Sequence, residues 1–263
     1  MCLILFSYRS HPSYPLILAA NRDEFYERPT APAAFWDDAP HILAGRDLKE
    51  GGTWLGITRT GRLAAITNYR DPRPVKDHAP SRGTLVSGFL RGDESPEEYI
   101  RRIRADAGRY NGFNLILGEG GGLFHFSNMT DAFQKIAPGM HGISNHLLDT
   151  PWPKVERGKR LLEELVSDRR DVSPEEIFRI LADTTHPDDR QLPDTGVGVA
   201  WDRVLSAMFI RSEGYGTRSS TVILVDGEGN VSFVERSFSS VAGSRDTVRI
   251  SFRMRTEEGP LPD

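Results

Sequence analysis

Short hydrophobic runs separated by turn residues dominate the chain, and they predict antiparallel β-structure. At the N-terminus, Cys2 to Tyr8 and Leu16 to Ala20 flank a turn containing Pro12 and Pro15, which is typical of a β-hairpin. The same pattern predicts three later hairpins and a final strand: Gly51 to Ile57 with Leu63 to Thr67, Asn114 to Leu117 with Leu123 to Phe126, Thr221 to Val225 with Val231 to Val234, and Val248 to Phe252.

Two helix starts carry a strong local signal. Ser95-Pro96-Glu97-Glu98 and Ser173-Pro174-Glu175-Glu176 each supply a serine N-cap, a proline at the first helical position and a glutamate at the third. They predict helices to about Arg109 and about Ala182. Weaker patterns predict two more helices and two irregular stretches: helices at Thr84 to Leu90 and Val155 to Ser167, a loop from Asp71 to Pro80, and irregular chain around Pro29 and Pro32.

The order of these elements favours one fold class. Hairpins follow one another along the chain, and helical blocks lie between them instead of alternating with single strands. This arrangement predicts an α+β protein with mostly antiparallel sheets and helices on their outer faces. No low-complexity linker or internal repeat interrupts the sequence, so we expect a single domain over residues 1–263.

Composition narrows the function classes. The 263 residues carry 33 basic and 37 acidic side chains, for a formal charge of −4, and the basic residues are scattered among acids. This argues against a nucleic-acid partner. No stretch approaches the 18 apolar residues of a membrane span, and the first residues lack the features of a secretory signal. The single cysteine excludes an intramolecular disulfide, and we therefore expect a reducing, cytoplasmic location.

That cysteine is residue 2, and its position matters. If Met1 is removed, Cys2 carries both a thiol and a free α-amine, so nucleophile and base belong to one residue. An α-amine with a pKa of about 7.7–8.0 is partly neutral near pH 7 and can accept the thiol proton. A neighbouring guanidinium would favour the thiolate further. The alternative is that Cys2 is a small buried hydrophobic residue, as free cysteines usually are.

A polar cluster follows the second predicted strand. Asn21, Arg22, Asp23 and Glu24 supply an amide, a guanidinium and two carboxylates, and antiparallel pairing across the first turn would return them to Cys2. The alternative is an ordinary surface turn with an Arg–Asp ion pair, which contributes little stability.

Several short blocks together resemble the NRDE family, also called the transport and Golgi organisation protein 2 family. They run in order along nearly the whole chain: Met1-Cys2-Leu3, Asn21-Arg22-Asp23-Glu24, Gly51-Gly52-Thr53-Trp54-Leu55-Gly56, Thr67-Asn68-Tyr69-Arg70, Asn111-Gly112-Phe113-Asn114-Leu115, Gly142-Ile143-Ser144-Asn145, Leu148 to Val155, and Tyr215-Gly216-Thr217-Arg218. The pattern is also similar to N-terminal-nucleophile hydrolases of the penicillin V acylase and bile-salt hydrolase type. That similarity implies a four-layer αββα sandwich and a cysteine nucleophile.

The resemblance implies roles for individual residues. Cys2 would be the nucleophile, with Arg22 and Asp23 orienting its thiol and amine, and Asn145 would help to form an oxyanion hole. The hydrolases have an Arg-Asn-x-Asp segment where this chain has Asn21 to Glu24. Spacing aligns Asn21 and Glu24 with the arginine and the aspartate of that segment, whereas chemistry aligns Arg22 and Asp23.

Further residues are weaker candidates for binding a substrate or ligand. Asn68 is a candidate for a second oxyanion donor. Arg218 precedes a predicted strand and could face the same cleft, or it could be an ordinary arginine at a strand edge. The histidines are dispersed, with His141 and His146 lacking supporting ligands, so we predict no metal site and no cofactor.

Two functions remain open from the sequence, and a third, a purely structural or scaffold role, finds no extended interaction surface in the chain. The first is a cysteine-dependent amide hydrolase or acyltransferase. The second is a non-catalytic intracellular carrier for haem, lipid or acyl-CoA on the same fold, because fold alone does not determine function. Either function implies a small-molecule or acylated ligand, and the sequence does not identify it or the oligomeric state.

Overall fold

The structure is a computed structural model that describes residues 2–70, 76–167, 169–239 and 245–255. Its strands, in chain order, are β1 (Cys2–Tyr8), β2 (Leu16–Phe25), β3 (Thr30–Trp36), β4 (Ala39–Asp47), β5 (Leu55–Thr58), β6 (Leu63–Asn68), β7 (Phe113–Glu119), β8 (Gly122–Ser127), β9 (Ala132–Lys135), β10 (Gly139–Ile143), β11 (Tyr215–Val225), β12 (Asn230–Phe238) and β13 (Arg245–Arg253). Its α-helices are α1 (Gly83–Arg91), α2 (Pro96–Arg104), α3 (Pro153–Val166), α4 (Pro174–Leu181) and α5 (Val199–Val204). None of the helices in this described part of the chain is long and apolar enough to cross a membrane.

The described strands form two antiparallel sheets. The first sheet has the order β10-β1-β2-β11-β12-β13, and the second has β3-β4-β5-β6-β7-β8-β9. In the second sheet each strand pairs with the next one along the chain, and the connection from β6 to β7 contains helices α1 and α2. The first sheet joins the N-terminal and C-terminal hairpins through the pairing of β2 with β11.

Three hydrophobic clusters define four layers. One cluster fills the space between the sheets and includes Phe6, Leu18 and Phe233. A second lies between the second sheet and helices α1 and α2, and a third lies between the first sheet and helices α3 and α4. Burying one such Leu or Phe side chain contributes about 1.5–3 kcal/mol. The α+β class and the αββα sandwich expected from the sequence are therefore confirmed.

Strand alternation determines which side chains enter the space between the sheets. Ile4, Leu18 and Ala20 belong to the inter-sheet cluster, whereas Leu5 and Ile17 face the layer of α3 and α4. Because side chains alternate with a period of two, Cys2 and Arg22 also face the second sheet. This end of the gap between the sheets carries polar side chains.

Most predicted elements are present, but one hairpin was missed and some boundaries were wrong. The chain around Pro29 and Pro32 was expected to be irregular, and it forms the β3–β4 hairpin. Pro32 is exposed on β3. Because β3 is an edge strand, the backbone N–H that proline lacks is not needed to pair with a neighbouring strand. The helix predicted to reach Arg109 ends at Arg104 and is followed by a 3₁₀ turn at Ala107–Arg109.

The polar cluster that was expected after the second strand lies inside it, because β2 continues to Phe25. Strands β9 and β10 and helix α5 had no counterpart in the sequence prediction. Of the predicted loop from Asp71 to Pro80, residues 71–75 lie outside the described residues, and residues 76–80 have no regular structure.

Candidate active site

A cleft of about 270 Å³ opens between the two sheets where β1 begins, and we call it the Cys2 cleft. The first sheet contributes Cys2, Arg22 and Glu24 to its lining, the second contributes Asn68, and Trp54 lies just before β5. The segment that leads into α1 closes another side.

Close backbone approach brings the start of α1 against this cleft. The Thr53 backbone N–H donates to the Gly83 carbonyl across 3.2 Å. A Cβ atom on Gly52 would lie 2.5 Å from the carbonyl carbon of Gly83, so a side chain at that position would push the helix away. The Gly51-Gly52-Thr53 segment therefore holds α1 where Arg82 and Gly83 can line the cleft.

Cys2 and Arg22 are directly paired residues of β1 and β2. Cys2 is half-buried, and burial raises the pKa of its thiol. The carboxylate of Asp23 acts in the same direction on this pKa, while the Arg22 guanidinium and a backbone hydrogen bond from Asp23 act to lower it. Arg22 is thus positioned to favour the thiolate.

Arg22 is 6% exposed and stacks over Trp54, with its guanidinium carbon 4.2 Å from the ring centroid. Its Nη1 donates to Thr30 Oγ1 at 3.4 Å, and its Nη2 lies 3.8 Å from a Glu24 carboxylate oxygen. These polar contacts are long for a buried guanidinium, which can make five hydrogen bonds. Stacking on Trp54 fixes the plane of the Arg22 guanidinium.

Charges alternate along the wall of the cleft beyond Arg22. Glu24 lies 3.8 Å from both Arg22 and Arg28, and Arg28 forms a 2.6 Å ion pair with Asp47. Arg82 donates to the Gly112 carbonyl at 3.0 Å; burial lowers the pKa of its guanidinium, and the negative charge of Cys2 counteracts this effect. The cleft is therefore polar and contains charges of both signs.

Asn21 and Asp23 alternate with Arg22 on β2, and their side chains make different contacts. Asn21 Nδ2 donates to the carbonyls of Leu181 and Met208 at 2.9 and 2.8 Å, and its Oδ1 accepts from Ser220 at 2.6 Å. These bonds tie β2 to β11, to the end of α4 and to the chain after α5. Asn21 therefore has a structural position outside the lining of the cleft.

Asp23 is 2% exposed. Its Oδ1 accepts from Thr217 Oγ1 at 2.7 Å, and its backbone carbonyl accepts from the Tyr215 hydroxyl at 3.2 Å. Burial raises the pKa of Asp23, and the charges of Lys154 and Arg22 act against that increase. Its backbone contacts the Cys2 thiol while its carboxylate joins a separate buried group of charges.

Asn145 lies next to Cys2 across the sheet. Ile4 pairs with Ile143, and Ser144 Oγ donates to the Cys2 carbonyl at 3.0 Å. Asn145 is fully buried, and its Nδ2 donates to the Asn68 carbonyl at 2.9 Å. Asn68 lines the Cys2 cleft directly, and Asn145 supports it from behind.

Arg218 lies away from the lining of the Cys2 cleft. It is the extra residue in a β-bulge of β11, between Thr217 and Ser219. Its Nη1 donates to the carbonyls of Phe25, Tyr26 and Arg28 at 2.8, 2.9 and 3.2 Å. The bulge thus aims Arg218 at the chain that follows β2.

Sequence reasoning missed two buried ionisable residues that interact with Asp23 and Arg22. Lys154 is 4% exposed, donates to the Leu205 carbonyl at 2.9 Å, and has its pKa lowered to about 8 by burial against the opposing effect of Asp23. A lysine in the first turn of a helix is unfavourable for the helix dipole, and this unusual position could have drawn attention to Lys154 in the sequence. Glu235 is 2% exposed and burial raises its pKa to about 7. It occupies an inward position of β12, next to Phe233 on the same face.

Nothing in the described part of the chain brings three or more His, Cys, Asp or Glu side chains together as a metal site. His141 Nδ1 instead lies 2.7 Å from an Asp149 carboxylate oxygen, and His146 Nδ1 lies 2.9 Å from Thr150 Oγ1. These two histidines have local partners on the chain around them.

Comparison with known proteins identifies relatives over almost the full sequence. A family model described as Transport and Golgi organisation 2 matches residues 1–240. The Transport and Golgi organization protein 2 homolog of Bos taurus is 40% identical over 277 residues, and the alignment covers 97% of this chain and all of that protein.

Solved structures with a similar fold are much more distant in sequence. A Caenorhabditis elegans ortholog of N-acylethanolamine-hydrolyzing acid amidase has a TM-score of 0.51 and 10% identity, covering 85% of this chain and 92% of its own. A mutant of the conjugated bile acid hydrolase from Clostridium perfringens has a TM-score of 0.52 and 8% identity, covering 97% of both chains. At this level of identity the likeness concerns the fold alone.

Proposed function

The chain belongs to the Transport and Golgi organisation 2 family, and we propose that it is a cysteine-dependent acyl-transfer enzyme that cleaves carbon–nitrogen bonds other than peptide bonds. The observation that carries this proposal is the location of Cys2 in a cleft, directly opposite Arg22. The two structural neighbours named above are described as an amidase and a bile acid hydrolase, and they support a hydrolase-like use of the fold.

The proposed reaction begins once Met1 has been removed. The free α-amine of Cys2 takes the thiol proton, and the thiolate sulfur attacks the amide carbonyl carbon. The carbon–nitrogen bond of the tetrahedral intermediate then breaks, the α-ammonium returns the proton to the leaving amine, and a thioester remains on Cys2. Water hydrolyses the thioester to a carboxylic acid and frees the thiol, whereas a different acceptor makes the reaction an acyl transfer.

Arg22 and Asp23 have separate roles in this proposal. Arg22 favours the thiolate electrostatically, and its stacking on Trp54 limits its movement. Asp23 donates its backbone N–H to the sulfur, and its buried carboxylate supplies negative charge near the N-terminus. Glu24 holds Arg22 from the other side.

Asn68 and Asn145 are the proposed oxyanion donors. Asn68 faces the cleft, and Asn145 uses one of its amide N–H bonds to hold the Asn68 carbonyl, which leaves the second N–H. Removing one oxyanion donor costs about 2.7–4 kcal/mol of transition-state stabilisation in a serine protease. Asn145 therefore contributes through its second N–H and by positioning Asn68.

The lining of the cleft favours this function over that of a carrier for haem, lipid or acyl-CoA. Arg22, Glu24, Arg28 and Asp47 bring charges into a cleft of about 270 Å³. Sites for large apolar ligands are lined mainly by hydrophobic and aromatic side chains. An acyl amide needs only its reacting carbonyl beside these charges.

The test is direct detection of an acyl-enzyme. Protein of verified N-terminal mass is incubated with fatty-acyl amides of ethanolamine, glycine and taurine and with an acyl-CoA thioester, and intact mass is measured over time. Because Cys2 is the one cysteine of the chain, a mass increase equal to the acyl group identifies its site without ambiguity. We expect this adduct together with release of the free acid.

Two variants serve as controls. Cys2→Ala should form no adduct and release no acid, whereas Cys2→Ser tests whether a weaker nucleophile retains slow turnover. Acid release that is unchanged in Cys2→Ala would refute the proposal. Absence of any adduct with all of these substrates, in protein whose Cys2 has a free amine, would favour the carrier function.

A further inference from the structure

A second cavity of about 200 Å³ lies behind Arg22 and Trp54, and we call it the Glu235 cavity. Arg22 and Trp54 line both this cavity and the Cys2 cleft, so the stacked pair forms the partition between them. The remaining walls come from the start of β3 and from β11, β12 and β13. The Glu235 cavity has no part in the reaction proposed for Cys2.

The inner face of the first sheet changes from apolar to polar along three neighbouring strands, toward the end that holds Cys2. On β11, Ile223 in the inter-sheet core is followed inward by Thr221 and Ser219. On β12, Phe233 is followed by Glu235 and Ser237, which pair with Thr221 and Ser219. On β2, Ala20 still pairs with Thr221, and the first polar residue on this face is Arg22, which pairs with Ser219. A polar compartment therefore replaces the hydrophobic core at this end of the sandwich.

Two hydrogen-bond donors in this cavity are buried and have no acceptor among the described residues. They are the hydroxyl of Ser219, a residue that is 5% exposed, and the Nε–H of Arg218. Both residues line the cavity. Buried polar groups in folded proteins are nearly always hydrogen-bonded, so each of these calls for an explanation.

Arg22 brings further hydrogen-bond donors to the Glu235 cavity. Its guanidinium carries five N–H bonds, and the one hydrogen bond found for it among the described residues is the 3.4 Å contact with Thr30. Three neighbouring side chains, Arg22, Arg218 and Ser219, therefore bring donors to one small cavity.

Two carboxylates line the cavity: Asp246 is exposed, and Glu235 is buried and already engaged. Glu235 Oε1 accepts from the Ala33 backbone N–H at 2.7 Å, which joins the two sheets, and Oε2 accepts from Thr221 Oγ1 at 3.3 Å. Within the ranges that the structure describes, Arg218 Nε–H and the Ser219 hydroxyl have no acceptor despite these carboxylates, and an acceptor with two oxygens could meet both of them and the Arg22 guanidinium. Arginine pairs preferentially with such planar, two-oxygen acceptors.

We propose that the Glu235 cavity is a binding site for a small carboxylate, held by Arg218 Nε–H, the Ser219 hydroxyl and the inner side of Arg22. The site is independent of the chemistry at Cys2. Its occupant would also contact the partition, since Arg22 and Trp54 separate it from the Cys2 cleft.

The test uses butyrate as the probe and butyramide, which has the same shape without the charge, as the control. The Arg218 Nε–H signal is followed by ¹H–¹⁵N NMR and assigned by its loss in Arg218→Lys. Butyrate should shift this signal saturably, and butyramide should not. The titration is done at pH 8 in wild-type protein and in Cys2→Ala. Equal shifts in both would show that butyrate binding does not depend on Cys2, so this result is separate from the outcome of the acyl-enzyme test.

Two further variants have opposite expected effects. Ser219→Ala removes one donor to a charged acceptor and should weaken butyrate binding about tenfold. Glu235→Gln keeps the acceptor for Ala33 but removes a negative charge, so it should tighten butyrate binding severalfold. Ser232→Ala, on β12 but outside both cavities, should change nothing.

The proposal is overturned if the Arg218 Nε–H signal stays fixed at the highest soluble butyrate concentration, or if butyramide shifts it equally. It is also overturned if folded Ser219→Ala binds butyrate as tightly as wild type. Should Glu235→Gln fail to fold, the Ser219→Ala and butyramide measurements decide the matter by themselves.

Discussion

Cys2 and Arg22 are opposite residues of neighbouring strands, and both point into the gap between the two sheets. The pairing follows from the register of the first hairpin, in which Tyr8 pairs with Leu16 and each step along β1 matches one step back along β2. A shift of one residue would turn Arg22 toward the helices. The register of this hairpin therefore determines the electrostatic environment of the thiol.

Arg22→Gln should make the Cys2 thiol less acidic, because Arg22 acts to lower its pKa. An increase of one pKa unit reduces the thiolate fraction, and hence the alkylation rate near neutral pH, about tenfold. The measurement is the rate of iodoacetamide labelling as a function of pH. Arg28→Gln, which changes an arginine of the same cleft that pairs with Asp47, serves as the control. An identical pH profile for Arg22→Gln and wild type would contradict the prediction.

Lys154→Met tests the buried ammonium. The pKa of Lys154 is lowered from 10.5 to about 8, so its charged form destabilises the folded state below about pH 8, and this penalty disappears as the pH rises toward 10.5. The free energy of unfolding of wild type relative to Lys154→Met should therefore rise by about 3 kcal/mol between pH 8 and pH 10.5. Urea titrations across this range measure the difference. The exposed Lys49→Met should give a flat difference, and a flat result for Lys154→Met would refute the assigned shift.

The stability difference between wild type and Glu235→Gln should change with pH in the opposite direction to that for Lys154→Met. Burial raises the pKa of Glu235 from 4.5 to about 7, so wild type loses stability as the pH rises through that window and the carboxylate becomes charged. Stability of wild type relative to Glu235→Gln should fall by about 3 kcal/mol from pH 4.5 to pH 7. Denaturation at pH 5 and pH 8 tests this, with the exposed Glu228→Gln as the matched variant. A difference that does not change with pH would mean that Glu235 is not buried as described.

Asn21→Ala should destabilise the protein without changing the reactivity of Cys2. The side chain satisfies the carbonyls of Leu181 and Met208, and leaving both without a donor should cost about 3 kcal/mol in unfolding free energy. Urea denaturation measures this loss. Asn230→Ala, at the exposed start of β12, should lose far less. A fall in Cys2 alkylation in folded Asn21→Ala would instead assign Asn21 to the site.

The hairpins and capped helices could be predicted because their signals are local. The apolar run from Cys2 to Tyr8 and the capping box at Ser95 are each contained in a few residues, and both elements form as expected. The β3–β4 hairpin was missed because prolines usually exclude a strand, and the exception for an edge strand depends on the order of strands in the sheet. That order is a tertiary property.

The site was only partly predictable for the same reason. The sequence grouped Asn21 to Glu24 as one cluster, but the continuation of β2 sends Arg22 to the inter-sheet face and Asn21 to the other. Glu235 and Lys154 come close to Arg22 and Asp23 only when sheets and helices assemble. No spacing in the sequence reports those contacts.

The proposed mechanism requires the α-amine of Cys2, and that requirement can be tested with two preparations. One is released from a fusion so that Cys2 is the first residue, and the other retains one preceding glycine. Because a positioned general base contributes about 10²–10⁴-fold, acid release from the acyl amide should be at least about 100-fold slower with the extra residue. Labelling with 2-cyanobenzothiazole, which condenses only with a free aminothiol, verifies each N-terminus, and Cys2→Ser with a free amine controls for the thiol. Equal rates in the two preparations would exclude the amine as the base and require another group in the Cys2 cleft to accept the proton.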